Sequence, residues 1–199
     1  LGQQKKTNYA LRVDMTKEEF IKEVTDGLPP PPQYFPLNVK MNKEGYEDIQ
    51  KILSTGTRPH SVDAFDLIAN ETGAIILDVR HQDQFVRGHI PRSIFIGING
   101  NFAPWVGVLL RDVSQPILLI TPRGREKETV TRLARVGFDN TLGYLEGGIE
   151  NWIKAGKHVD TVKRITANKL KKEIKKDNLA IFDVRKSNEF NSEHITDAE

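Results

Sequence analysis

Residues 75–91 read IILDVRHQDQFVRGHIP, and their pattern gives the first indication of the fold. Its apolar run Ile75–Val79 is followed at once by polar and charged residues, the pattern of a buried strand that ends in a loop. Two further runs, Ile117–Ile120 and Thr141–Leu145, read in the same way. Between them a helix is predicted from residues that share one helical face: Val130, Leu133, Ala134 and Gly137. This alternation predicts an α/β fold, a doubly wound, mostly parallel sheet with helices on both faces.

The opening stretch recurs later in the chain. Residues 76–80 read Ile-Leu-Asp-Val-Arg and residues 181–185 read Ile-Phe-Asp-Val-Arg, an offset of 105 residues. The same offset relates further pairs, namely Phe65 to Leu170, Phe85 to Phe190, His89 to His194 and Ile90 to Ile195. The chain is therefore expected to hold one complete unit, residues 58–158, and the first part of a second, residues 159–199. In that partial copy Leu179–Val184 is expected to form a buried strand.

Residues 1–57 do not resemble the repeat and are predicted to be mainly helical. Thr16 followed by Glu19 is typical of a capping box, which predicts a helix over residues 16–25. The four prolines 29–32 exclude a helix or a central strand at that point. A second helix is predicted near residues 43–54.

Composition excludes several classes of function. The net charge is +2, from 29 basic and 27 acidic residues, which gives no electrostatic reason to expect a nucleic-acid partner. The lysine-rich run at residues 169–176 is more simply a solvated helix face. No apolar stretch approaches the ~20 residues of a membrane span. The absence of cysteine excludes disulfides, thiolate nucleophiles and cysteine metal sites, and a reducing cytoplasm is the expected location.

The order and spacing of two motifs resemble those of rhodanese domains. The first motif is Asp78-Val79-Arg80, then Phe85, then Gly88-His89-Ile90-Pro91; the second is Leu145-Glu146-Gly147-Gly148, followed by Trp152. The resemblance implies a rhodanese-like fold. A structural role is the simpler interpretation of these residues: Asp78 and Arg80 would pin a turn, His89 would pack, Gly147 and Gly148 would supply backbone freedom, and Trp152 would anchor the core.

The loop that carries rhodanese chemistry follows the central strand. The family pattern is a cysteine, two residues, a glycine, one residue and then often an arginine. Here the loop reads Thr121-Pro122-Arg123-Gly124-Arg125-Glu126, which puts Thr121 at the cysteine position. A hydroxyl cannot form a persulfide, and Pro122 removes one N–H from the loop. This degenerate loop contains no expected catalytic residue, so the chain alone is not expected to be a working sulfurtransferase.

An anion remains a candidate ligand of this loop. Thr121, Arg123, Gly124 and Arg125 precede a helix and could hold sulfate, sulfite or chloride. The alternative is that the arginines are solvated or make surface ion pairs.

The flanks extend the resemblance to a particular class of fusion protein. Residues 28–45 resemble the closing segment of glyoxalase-II-like metallo-β-lactamase domains, in particular the persulfide dioxygenases. Residues 102–107 and 133–148 resemble the middle domain of bacterial fusions that run metallo-β-lactamase, cysteine-less rhodanese, active rhodanese. The resemblance implies that residues 1–57 are the tail of a metallo-β-lactamase-like domain, and that the partners are the other two domains. The non-haem iron of such a fusion would lie outside this chain, whose five histidines form no His-x-His-x-Asp-His cluster.

The leading hypothesis is a non-catalytic module that orients the dioxygenase and the sulfurtransferase of such a fusion. The alternative is a stand-alone anion-binding or protein-interaction module. A phosphatase-like function fails because that chemistry also needs the loop cysteine. Apolar residues of the N-terminal flank would normally face an absent body, which predicts either disorder or a homo-oligomer: Phe20, Ile21, Val24, Leu28, Tyr34, Phe35 and Leu37.

Overall fold

The computed structural model describes residues 2–3, 15–26, 34–110, 112–174 and 179–199. These residues divide into two compact units, one within residues 1–160 and one within residues 161–199. Leu28, the four prolines, Lys175, Lys176 and the side chain of Leu37 lie outside the described part. No helix in the described part is both long enough and apolar enough to cross a bilayer.

The first unit is built around a five-stranded parallel sheet. Its strands are β1 Pro59–His60, β2 Ile75–Asp78, β3 Ile94–Phe95, β4 Ile117–Ile120 and β5 Thr141–Leu145. They lie in the order β1-β5-β4-β2-β3, and every neighbouring pair is parallel. The predicted α/β fold with a parallel sheet and helices on both faces is confirmed.

Helices enclose this sheet and precede it. In chain order they are α1 Lys17–Thr25, α2 Phe35–Glu44, α3 Ile49–Gly56, α4 Val62–Thr72, α5 Gln82–Phe85, α6 Phe102–Leu109, α7 Glu126–Ala134 and α8 Gly148–Lys154. The second unit contains α9 Ala167–Glu173 and α10 Ser187–Ser192.

Alternate residues of β4 supply the two faces of the core. Ile117 and Leu119 pack on one face, together with α3, α6 and α7. Leu118 and Ile120 pack on the other face, together with Phe65 of α4 and with α8. All four β4 side chains are fully buried, as expected of a central strand covered by helices on both sides. The carboxyl end of β4 is thereby fixed, and the loop that begins at Thr121 starts from a rigid base.

The N-terminal flank follows the prediction at its first helix and departs from it further along the chain. The capping box is present, with Thr16 Oγ1 accepting the N–H of Glu19 at 3.2 Å. The single helix predicted near residues 43–54 is instead α2 and α3, because the chain turns at Gly45 with a φ of +96° that other residues rarely adopt. Ile52 of α3 is buried in the core, so the packed unit begins before residue 58. Tyr34 packs against the same core beside Gly107, whose missing side chain makes room for the ring.

Two other predictions were wrong. The helix marked by Val130 and Leu133 ends at Ala134, and Gly137 lies beyond it with a φ of +85°. The segment Leu179–Val184 is not a strand, and within it Phe182 and Val184 are 67% and 95% exposed. A strand needs a neighbouring strand to pair with. Within the described part of the second unit, this segment has only Glu199, which bonds to Asp183 and Ile181.

Candidate functional site

The loop that follows β4 forms a tight turn into α7. The N–H of Arg125 donates to the carbonyl of Pro122 at 3.1 Å, and Gly124 adopts a φ of +80°. That conformation favours glycine, since a side chain would crowd the backbone there. Thr121 is buried at the base of the turn, where a rhodanese carries its sulfur nucleophile.

A carboxylate of the chain itself fills the loop. The Thr121 hydroxyl donates to Glu126 Oε1 at 3.2 Å, and the N–H of Gly124 donates to the same oxygen at 3.1 Å. Glu126 is the first residue of α7, and it stands where the family pattern often has an arginine. Two donors of the loop, the Thr121 hydroxyl and the Gly124 N–H, are therefore engaged by a carboxylate of the chain. The sequence places Glu126 in the loop but does not by itself reveal this role.

The two arginines of the loop differ in their surroundings. Arg125 donates to both carboxylate oxygens of Glu128 at 2.8 Å, and its Nη1 donates to Asn99 Oδ1. This pairing raises the pKa of Arg125 and lowers the pKa of the Glu128 carboxyl group. Arg123 is exposed and makes no hydrogen bond or ion pair with any described residue. Anion binding at Thr121, Arg123, Gly124 and Arg125 stays a prediction. The negative charge of Glu126 in the same loop would repel an anion.

Asp78 and Arg80 satisfy each other at the end of β2. Arg80 donates from Nε at 2.9 and 3.0 Å and from Nη2 at 2.5 Å to the two carboxylate oxygens. The same Nη2 also donates to the Gly88 carbonyl at 2.9 Å. Both side chains are buried, Asp78 being 0% and Arg80 6% exposed. The pair ties the strand end to the loop that precedes β3.

The remaining signature residues lie around this frame. The His89 ring stacks on Phe85 with centroids 3.9 Å apart, and its Nδ1 lies 3.0 Å from the Phe85 carbonyl. Trp152 donates from Nε1 to the His158 carbonyl at 2.8 Å and packs edge-on against Phe65. Gly147 and Gly148 both have positive φ, of +70° and +64°, where β5 turns into α8.

A cavity that the sequence did not reveal lies beside the loop. It has a volume of about 550 Å³ and opens at the carboxyl ends of β2 and β3. Its lining residues include Arg80, His81, Phe95, Asn99 and Trp105. Asn99 links the cavity to the loop, because it accepts the hydrogen bond from Arg125.

The model of the rhodanese-like domain family matches residues 61–155. That range includes the whole sheet except β1, and it includes the loop with Thr121. The chain contains a rhodanese-like domain. The YibN protein of Escherichia coli K12 is 28% identical over 97 residues, which are 48% of this chain and 66% of YibN.

Solved structures also resemble the rhodanese-like domain. A rhodanese-like domain from an Anabaena protein superposes with a TM-score of 0.42 at 21% sequence identity. The match covers 47% of this chain and 98% of the Anabaena chain. A structure titled metallo-beta-lactamase, from Staphylococcus aureus, has a TM-score of 0.56 at 26% identity. That match covers 73% of this chain and 39% of the Staphylococcus aureus chain. It takes in more of this chain than the residues that the family model matches.

The second unit repeats one part of the rhodanese-like domain in detail. Arg185 Nη2 donates to Asp183 at 2.6 Å and to the Glu193 carbonyl at 2.7 Å, as Arg80 does to Asp78 and Gly88. Phe190 and His194 stack with centroids 4.0 Å apart and planes at 13°, the interplanar angle of the first copy. The internal repeat is therefore present in the local structure as well as in the sequence.

Proposed function

We propose that the rhodanese-like domain is a non-catalytic module. Sulfur transfer in this fold needs a thiolate, and the chain has threonine at the position of the nucleophile and no cysteine elsewhere. The observation that carries the proposal is the Glu126 carboxylate, which accepts the Thr121 hydroxyl and the Gly124 N–H. The Thr121 hydroxyl, the Gly124 N–H and the Arg125 N–H all have partners within the chain, which favours this loop shape without a substrate.

The module serves as the centre of a sulfur-metabolising fusion protein. It joins a metallo-β-lactamase-fold persulfide dioxygenase to a thiosulfate sulfurtransferase domain and orients the two. Two observations support this role. The likeness to the Staphylococcus aureus metallo-beta-lactamase structure extends over 73% of this chain. The second unit reproduces the Asp-x-Arg and Phe-His geometry of the rhodanese-like domain.

The iron of such a fusion belongs to the dioxygenase domain. The described residues contain no group of three or more His, Cys, Asp or Glu side chains placed to hold a metal ion. These described residues do not fit an iron site.

A stand-alone anion-binding module is less well supported. Each loop arginine is either paired, as Arg125 is with Glu128, or exposed, as Arg123 is. The carboxylate of Glu126 would repel an anion that approaches the loop. Saturable binding of sulfate or thiosulfate to the chain, abolished by Arg123→Ala, would favour this alternative.

The activity assay for the proposal uses the purified chain with thiosulfate and cyanide. We expect no thiocyanate formation above buffer, and the same result for Thr121→Val. A turnover that Thr121→Val abolishes would show that the hydroxyl is a nucleophile, and the proposal of a non-catalytic module would fail.

A further inference from the structure

The cavity beside the loop has the place and size of a ligand site. Its volume of about 550 Å³ lies within the roughly 300–1,000 Å³ of small-molecule pockets. It opens at the carboxyl ends of β2 and β3, the side of an open parallel sheet where ligands bind. The proposed structural role of the domain does not use this cavity.

Aromatic rings form two parts of its wall. Trp105 of α6 lines the cavity and is 52% exposed, so much of its indole face is free. Phe95 of β3 lines it as well and is backed by Phe85, with ring centroids 4.9 Å apart. Phe85 in turn stacks on His89. These supported rings favour a flat ligand, since planar rings stack on aromatic faces.

Two polar side chains of the wall, those of Arg80 and Asn99, offer hydrogen-bond donors. Arg80 is more than nine-tenths buried, yet its Nη1 has no partner among the residues that the structure describes. The Asn99 oxygen already accepts from Arg125, which leaves its amide N–H groups available. His81 also lines the cavity, and its Nδ1 accepts the N–H of Asp83. Such a wall matches a ligand that carries acceptors.

The charges around the cavity favour a neutral ligand over an anion. The positive charge of Arg80 is balanced by Asp78, with which it is buried. Arg125 is balanced in the same way by Glu128. Donors whose positive charge is already paired still form hydrogen bonds, but they give an anion little net attraction.

We propose that this cavity binds a neutral, planar heterocycle that bears carbonyl or ring-nitrogen acceptors. The ring stacks on Trp105, and the acceptors take hydrogen bonds from Arg80 and Asn99. None of the lining residues belongs to the loop 121–126, although Asn99 bonds to Arg125 of that loop, and the proposal does not depend on the domain being part of a fusion protein.

The test uses inosine, a neutral nucleoside whose base has both kinds of acceptor. Trp152 is buried, so a change in tryptophan fluorescence on titration reports on Trp105. We expect saturable quenching with a Kd on the order of 1 mM or tighter. Ligand-detected NMR should show binding about 10-fold weaker for Trp105→Ala. Val108→Ala is the matched control, because Val108 is an exposed residue of the same helix and does not line the cavity. The affinity of this variant for inosine should be unchanged.

Asn99→Ala is a second variant, and we expect it to weaken binding while circular dichroism stays unchanged. The absence of saturable inosine binding to the unmodified chain would overturn the proposal. An equal loss of affinity in Trp105→Ala and Val108→Ala would also overturn it. Inosine monophosphate binding ten-fold tighter than inosine would contradict the neutral class of ligand.

Discussion

Asp78 and Asp183 hold the same local geometry in different surroundings. The Arg80 and Asp78 side chains are 6% and 0% exposed, whereas those of Arg185 and Asp183 are 46% and 12% exposed. Removing one partner of a buried ion pair leaves an uncompensated charge, which costs about 3–5 kcal/mol.

We therefore expect Asp78→Asn to lower the free energy of unfolding of the first unit by about 3–5 kcal/mol. Asp183→Asn should leave that free energy unchanged, because the second unit folds around its own contacts. Urea denaturation followed by Trp152 fluorescence measures both variants. Equal destabilisation of the first unit by the two substitutions would contradict this expectation, because Asp183 lies outside that unit.

Single residues were predictable to different degrees. The place of Thr121 at the cysteine position of the loop was predictable, because the strand before it and Gly124 after it fix the alignment with the family pattern. The role of Glu126 did not, because a contact between residues 121 and 126 depends on the path of the turn between them. The cavity at Trp105 was also missed, since its walls come from segments that lie apart in the sequence.

Two copies of one sequence pattern form different structures at the level of the element. Residues 76–80 include most of β2, which pairs with β3 and β4. Residues 181–185 form no strand, since the described part of the second unit offers no strand to pair with. Local pattern predicted Ile117–Ile120 and Thr141–Leu145 correctly because both strands lie inside the sheet. It failed at residues 179–184 because pairing is not a local property.

The second unit should respond to acid through Asp183. Hydrogen bonds from Arg185 lower the pKa of the Asp183 carboxyl group to about 2, against ~3.9 in an unfolded chain. Because the pKa is lowered, the ionised Asp183 stabilises the folded arrangement fully above pH ~4. This stabilisation is lost as the pH falls through about 2. We expect the NMR signal of Arg185 Nε–H to move to its unfolded position across that range. In Asp183→Asn the same signal should show no such transition, and a transition centred near pH 4 would contradict the pairing.

Apolar side chains of the N-terminal helices α1 and α2 remain exposed in the folded chain. Phe20 and Ile21 of α1 and Phe35 and Val39 of α2 are each more than one-third exposed. Groups of exposed apolar residues mark contact surfaces. In the proposed fusion they would face the metallo-β-lactamase-fold domain.

In the isolated chain these residues should drive self-association. We expect light scattering to give an average mass that rises with concentration, and Val39→Asn to reduce the rise. Lys43→Asn, at an exposed position of the same helix, is the control and should change little. A strictly monomeric chain whose flanks are protected from hydrogen exchange would contradict this prediction.

We propose that the Glu126 carboxylate occupies the place of a sulfur group, so that the loop does not activate a nucleophile. Thr121→Cys introduces the sole thiol of the chain, and the pH dependence of its alkylation by iodoacetamide gives the thiol pKa. Beside Glu126 we predict a pKa above the ordinary ~8.5, and a decrease of about one unit in Thr121→Cys with Glu126→Gln. A pKa below about 7 in the single variant would mean that the loop is a working thiolate site, and would contradict the account.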